Sequence, residues 1–328
     1  MIRTTWREHR ILLAIVVGGL LALAVGVVIA GMLIADYRAT HGTTPRYFSS
    51  QCREAVCYAD GFLAYLPGPI TLLPIIAGAP IGAAVIARPI ETGQHILAFT
   101  QSRSRWSWYG ARFLVVFVPI TVATTILGAV LPLGGTAGTG FDHFSFVTTA
   151  PVLGAHMLLA LTLGGAIALL LPLGRSSTVI AVPAAVALMF IATMILVSIR
   201  PHLVEPVRTE YPLTTAWHGI PQRTDSNGVM PWRISSGAED ANGQPIADPN
   251  GLCQRGYVFQ FITETEREGL VLTAAEQARC LRALGATTYA VHEHPGAHFW
   301  PMQWRETGLA LLASALLLAI ARARLARI

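Results

Sequence analysis

Lysine is absent from the 328-residue chain, so all 23 basic side chains are arginine. Charge of either sign is scarce: 12% of residues are Asp, Glu, Lys or Arg, 53% are hydrophobic, and the mean hydropathy is +0.54. Soluble domains carry about 25% charged residues, so this shortfall excludes an ordinary soluble protein. Without lysine there is no G-x-x-x-x-G-K-[ST] phosphate loop, which excludes ATP hydrolysis by that route. The H-E-x-x-H and G-x-S-x-G motifs are missing too, and no nucleophile–base or metal constellation lies within the apolar runs; an intramembrane enzyme is disfavoured. Those runs hold almost no ionisable residue, His156 being the main exception. Proton- or sodium-coupled carriers need such groups buried in the membrane, so secondary transport is disfavoured, and a lone His156 reads as a hydrogen-bonded packing residue.

What the chain does have is six apolar runs, each bounded by polar or proline-rich sequence. Ile11–Ile34 is longer than the roughly 7–15 residues of a signal core, so it reads as an uncleaved first span. Met1–Arg10, with Ile2 and Trp6 beside Arg3, Arg7 and Arg10, reads either as a short interfacial helix or as a plain basic flank. The second span, Phe62–Ala87, carries Pro67, Pro69 and Pro74 near one end and Pro80 deeper, which predicts a kinked or re-entrant entrance. The third is Phe113–Leu133. The fourth begins at Pro151 and ends at Pro172, the fifth is Val179–Ile199, and the sixth is about Thr307–Ile320. Gly134–Thr149 reads as a Gly/Thr-rich loop. Residues 200–301 form a large segment rich in Pro and Asn-Gly steps, hence loop-rich, with helical character over Thr273–Leu284 and strand character over Tyr257–Ile262.

Sidedness follows from the arginines. With both termini inside, eleven arginines and two carboxylates fall on the inner side; twelve arginines and sixteen carboxylates fall outside. That asymmetry is what the positive-inside rule requires, and it accounts for the pI near 9.3 without nucleic-acid binding. The expected fold is therefore an all-α polytopic membrane protein: six transmembrane helices, both termini cytoplasmic, and a large loop-rich extracytoplasmic segment between helices 5 and 6. Its divisions are residues 1–10, the first five spans over 11–199 with a cytoplasmic loop at 88–112, the outer segment 200–301, and the last span with a basic tail over 302–328.

Under this topology Cys52, Cys57, Cys253 and Cys280 all lie outside, where an even number favours disulfides. Three connectivities are open, and Cys253–Cys280 with Cys52–Cys57 is the expected one. No C-x2-C pair is present, so a four-thiolate zinc site is disfavoured. His292, His294 and His298 could in principle share a metal, but the Pro and Gly among them suggest a turn rather than a rigid site, and no metal site is expected. Trp300 and Trp304 read as interfacial anchors of the last span, as Trp6 does of the first.

The segment ARPIETGQHILAFTQSRSRW, from Ala87, is polar and arginine-bearing, with a short helical stretch offering Ile96, Leu97 and Phe99 to a partner. It resembles the cytoplasmic loop of type-2 ATP-binding-cassette (ABC) exporter permeases, particularly actinobacterial ones. There an acidic residue, one more residue and then Gly-Thr introduce a helix that ends in a Thr-Gln-Ser-like turn. Gln94 stands here in place of the usual Thr. The opening TWREHR, the Arg200-Pro201-His202 step and FWPMQWRETG are also similar to that group. The resemblance implies a six-span permease half in a bacterial plasma membrane. It would pair with a second half, homo- or heterodimeric, and with a cytoplasmic ABC ATPase. Glu91, Gly93, Gln94, Ile96, Leu97, Phe99, Thr100 and Gln101 would carry the coupling. ATP and Mg would sit on the partner, with no cofactor in this chain, and membrane lipid is the remaining partner. The competing reading is a non-transporting sensor or assembly subunit that binds a ligand through residues 200–301.

Overall fold

A computed structural model describes residues 2–42, 55–93, 104–134, 141, 143–171, 177–215, 230–246, 253 and 274–327. Among the described residues six helical spans are long and apolar enough to cross a membrane: Ile2–His41, Ala55–Glu91, Arg105–Leu133, Ala150–Leu170, Thr178–His202 and Gly296–Arg327, numbered 1 to 6 below. The chain forms two compact units: Met1–Leu203 with Trp300–Ile328, which holds the spans, and Val204–Phe299.

Span 4 is the hub of the first unit, with 89% of its apolar window buried, against 17% for span 5 and 22% for spans 1 and 6. Hydrocarbon gives helices no hydrophobic reason to associate, so close association depends on small residues that bring backbones together. Gly78 and Gly82 of span 2 meet Ala160, Leu161 and Gly164 of span 4 in this way. A side-chain carbon added at Gly82 would strike the Leu161 carbonyl, and one at Gly164 the Ala79 carbonyl. Around this seam pack Ile86, Tyr109, Phe117, Ile120, Leu161 and Leu169; a second cluster joins Leu20, Val27, Leu63, Ile70, Leu127 and Leu153.

The proline-rich part of span 2 is kinked yet continuous. Ala55–Tyr65 is followed by helix Pro67–Leu73, a wide π-type turn over Pro74–Gly78, and helix Ala79–Glu91. Proline cannot donate to the preceding turn, and the wider turn absorbs that loss. Span 3 carries a second π turn at Phe113–Phe117. Ile2–His41 is one uninterrupted helix of 40 residues, so no break separates the expected interfacial stretch from the first span. Pro151 does lie in the first turn of span 4, while Pro172 is outside the described residues. The expected Gly/Thr-rich loop contains a short helix, His143–Thr148.

Among its described residues the second unit holds a sheet not expected from the sequence. Strands β1 (Val207–Tyr211), β2 (Trp232–Glu239) and β3 (Thr288–His294) form an antiparallel sheet in the order β1-β3-β2, with Thr209 opposite Val291 and Gly237 opposite Ala290. The expected helix is present as Ala274–Ala283. Leu213, Ala238, Cys253, Ala278, Leu281 and Ala286 form its small core. Tyr257–Ile262 lies outside the described residues.

Candidate functional site: the two ends of the membrane unit

One end of the membrane unit gathers the start of spans 1, 3 and 5 and the close of spans 2, 4 and 6. Span 2 stops because Thr92 Oγ1 turns back to donate to the Arg88 carbonyl at 3.0 Å, and Gly93 takes φ +71°, a left-handed conformation that favours glycine. Span 3 starts because Ser104 caps it, its Oγ accepting from the Ser107 amide at 3.2 Å. Of the expected coupling residues, Glu91 and Gly93 are thus placed. Gln94, Ile96, Leu97, Phe99, Thr100 and Gln101 lie outside the described residues.

Glu91 has a specific partner. Its carboxylate accepts hydrogen bonds from both the backbone N–H and the hydroxyl of Thr178, in the first turn of span 5. The first amides of a helix have no partner within it and carry the positive end of its dipole, so a carboxylate there satisfies both needs. Glu91 therefore acts as an N-cap lent by span 2 to span 5. Other contacts at this end join further spans. Arg112 lies over the Trp108 ring at 4.0 Å and reaches Glu8 at 3.4 Å; Arg105 donates to the Leu325 carbonyl and Arg324 to the Leu169 carbonyl, each at 3.4 Å.

The opposite end holds a cluster that sequence reading missed. Glu306, expected outside the last span, is inside helix Phe299–Arg327 and wholly buried at 0% exposure. Arg200 grips it with two parallel hydrogen bonds, Nε to Oε2 at 2.7 Å and Nη2 to Oε1 at 2.8 Å, and His156 Nε2 lies 3.2 Å from Oε1. His156 is thus no lone packing histidine: spans 4, 5 and 6 each contribute one member. The Arg200 guanidinium also lies 4.5 Å over the Phe146 ring, and Gln303 Nε2 donates to the Phe146 carbonyl at 2.7 Å, fastening helix His143–Thr148 to the same cluster. A carboxylate survives such burial only when paired and hydrogen-bonded, and the bidentate fork supplies both. The available signal was the spacing of two charges, Arg200 and Glu306, at the same-side ends of adjacent spans; intramembrane charges seek one another.

In the second unit the expected Cys253–Cys280 disulfide is present, with the Cα atoms 5.6 Å apart. Cys57 is also disulfide-bonded, and Cys52 lies outside the described residues. The three histidines do not converge: His292 Nε2 sits 3.3 Å from Glu239, while His294 and His298 bring their Nδ1 atoms within 3.3 Å of each other. Among the described residues no group of three His, Cys, Asp or Glu side chains could hold a metal. Trp6, Trp300 and Trp304 are all more than half exposed near helix ends.

No curated protein and no solved structure matches the chain. The sequence profile described as ABC-2 membrane transporter related matches residues 17–200, spans 1 to 5 with the loop between spans 2 and 3. Because that match takes in more than half of its length, the chain belongs to the ABC-2 membrane transporter related family, multi-pass cell-membrane proteins that form the permease-like component of ABC-type systems.

Proposed function

We propose that the chain is the membrane half of an ATP-driven exporter, moving an amphipathic small molecule, lipid or peptide with force taken from a separate ABC ATPase. Residues 88–112 face the cytoplasm and receive that force, and a second permease half completes the path. The observation that carries this reading is the bond between Glu91 and Thr178. A push on the loop that begins at Gly93 reaches span 2 directly and span 5 through that cap, so two spans move as one rigid body. At the far end the Arg200–Glu306–His156 cluster holds spans 4, 5 and 6 together, and outward opening has to rearrange it.

The test is purification of the tagged chain from native membrane, where a cassette ATPase accompanies it, followed by ATP turnover with Glu91→Arg and Gly93→Trp. Both variants insert normally and lose substrate-stimulated turnover; unchanged turnover in both would defeat the coupling assignment. For sidedness, a cysteine placed at Ser104 is shielded from a membrane-impermeant thiol reagent applied to intact cells, whereas one at Asn242 reacts. The compact Val204–Phe299 unit, with a sheet and disulfide of its own, favours a second reading as a sensor or assembly subunit. That reading requires ligand binding by this unit in the full chain and no ATPase partner.

A further inference from the structure

A groove of about 500 Å³ opens at the arginine-bearing end of the membrane unit, between the first turn of span 1 and the start of span 3. Ile2, Leu114 and Trp106 give it apolar walls and remain 59%, 57% and 38% exposed. Its floor is Gly110, where an added side-chain carbon would meet nothing within 4 Å. Arg3 is the one ionisable residue of the lining, and it makes no hydrogen bond or ion pair among the described residues. Trp106 is backed by Arg322, whose guanidinium lies 5.9 Å from the ring centre. No carboxylate lines the groove, and Glu8 on the same helix is occupied by Arg112 at 3.4 Å.

We infer that this groove binds an anionic glycerophospholipid, with its phosphate against Arg3 and the upper part of one acyl chain along Gly110, Ala111 and Leu114. Three features select that occupant. The charge is of one sign and open to an anion. The apolar trough leads away from it, as a lipid's chemistry demands. The depth also fits: the apolar run of span 1 begins at Ile11, so the Arg3 backbone lies about 12 Å before it at 1.5 Å per residue, and a long arginine side chain there reaches back to the headgroup layer. An arginine at that surface favours anionic headgroups, and the tryptophan suits the same layer. Trp106, Ser107, Gly110 and Ala111 fall within the 88–112 segment, so the site rests on that segment's proposed place at the inner membrane surface, while neither Arg3 nor Gly110 is among the coupling residues.

Native mass spectrometry of the full chain in mixed micelles of phosphatidylglycerol and phosphatidylcholine tests it. Wild type retains phosphatidylglycerol preferentially. Arg3→Gln, an exposed substitution that leaves packing untouched, weakens that retention about fivefold. Gly110→Leu fills the trough and removes retention of the tightest-bound lipid whatever its headgroup. Equal retention of both lipids by wild type, or no change in either variant, would overturn the proposal. So would displacement of the lipid by millimolar inorganic phosphate, which would mark an anion site with no use for the acyl chain.

Discussion

Each of the two units joins an arginine, a glutamate and a histidine, and the two sets sit in different solvents. In the membrane unit Arg200, Glu306 and His156 are 4%, 0% and 2% exposed, and the fork from arginine to carboxylate is 2.7 and 2.8 Å. In the second unit Arg208 donates to Glu239 at 3.0 and 2.6 Å and His292 lies 3.3 Å away, so the distances are nearly the same. There, however, only the carboxylate is buried, the Glu239 side chain being 9% exposed; the Arg208 and His292 side chains are 38% and 35% exposed, and Arg208 is shared with Glu210. The lesson is that geometry does not set the strength of such a cluster. Water can replace a lost partner in the second unit and cannot in the first.

The sharpest way to break the comparison is to remove the carboxylate from the buried set. Glu306→Ala leaves Arg200 charged and buried without its partner, at a cost of about 3–5 kcal/mol. Thermal unfolding in detergent micelles reads this as a large fall in midpoint. Replacing both partners, Arg200→Met with Glu306→Met, removes the stranded charge and recovers more than half of the loss. A double variant as damaged as Glu306→Ala would mean that the cluster stabilises through its hydrogen bonds rather than merely tolerating its own burial.

A second effect separates the hub from the peripheral helices. Gly82→Val drives a side chain into the Leu161 carbonyl and costs about 1–3 kcal/mol, because two packed backbones have to part. Gly18→Val on span 1 meets nothing within 4 Å, and its unfolding midpoint stays at the wild-type value. Next in size is Glu91→Ala, which uncaps span 5 for about 1 kcal/mol. Glu91→Gln keeps an acceptor and loses less. If loss of ATPase coupling follows this stability order, Glu91 acts through the cap. If Glu91→Gln uncouples fully while remaining stable, its charge is read by the partner.

Much of this was legible in the sequence, for a physical reason. Spans announce themselves because hydrocarbon tolerates only long apolar helices, so Ile11–Ile34 and Val179–Ile199 could be read without any tertiary knowledge. The end of span 2 and the start of span 3 were less legible: the sequence reads them at Ala87 and Phe113, whereas the helices run to Glu91 and from Arg105, set by Gly93 and the Ser104 cap. What escaped was the set of pairings between residues far apart in the chain. A carboxylate beside an apolar run normally marks the water boundary, so the sequence alone reads Glu306 as lying outside the last span. Only Arg200, 106 positions earlier, makes its burial tolerable. The sheet was missed likewise: β3 lies between β1 and β2, and its partners are dozens of residues distant. Glu91 was singled out by resemblance, yet its cap on Thr178, 87 positions later, had no local signature.

The smallest expected effect tests the exposed set by pH. The hydrogen bond from Arg208 holds the Glu239 carboxyl below the ordinary carboxylate range, with a further contribution from His292. A carboxylate whose folded pKa is depressed binds protons less readily when folded than when unfolded. Its contribution to stability is therefore complete above the ordinary carboxylate pKa and disappears as pH falls through the lower, folded value. Amide protection of β1 and β3 in the full-length protein, corrected for intrinsic exchange, should hold from neutral pH down to that range and then decline. In Glu239→Gln the protection is lower at neutral pH and this decline is absent. Glu306→Gln leaves the pH response of the strands intact, since Glu239 still titrates against Arg208. If the strand response instead vanished with Glu306→Gln, the two sets would be linked, and the contrast between a buried cluster and an exposed one would fail.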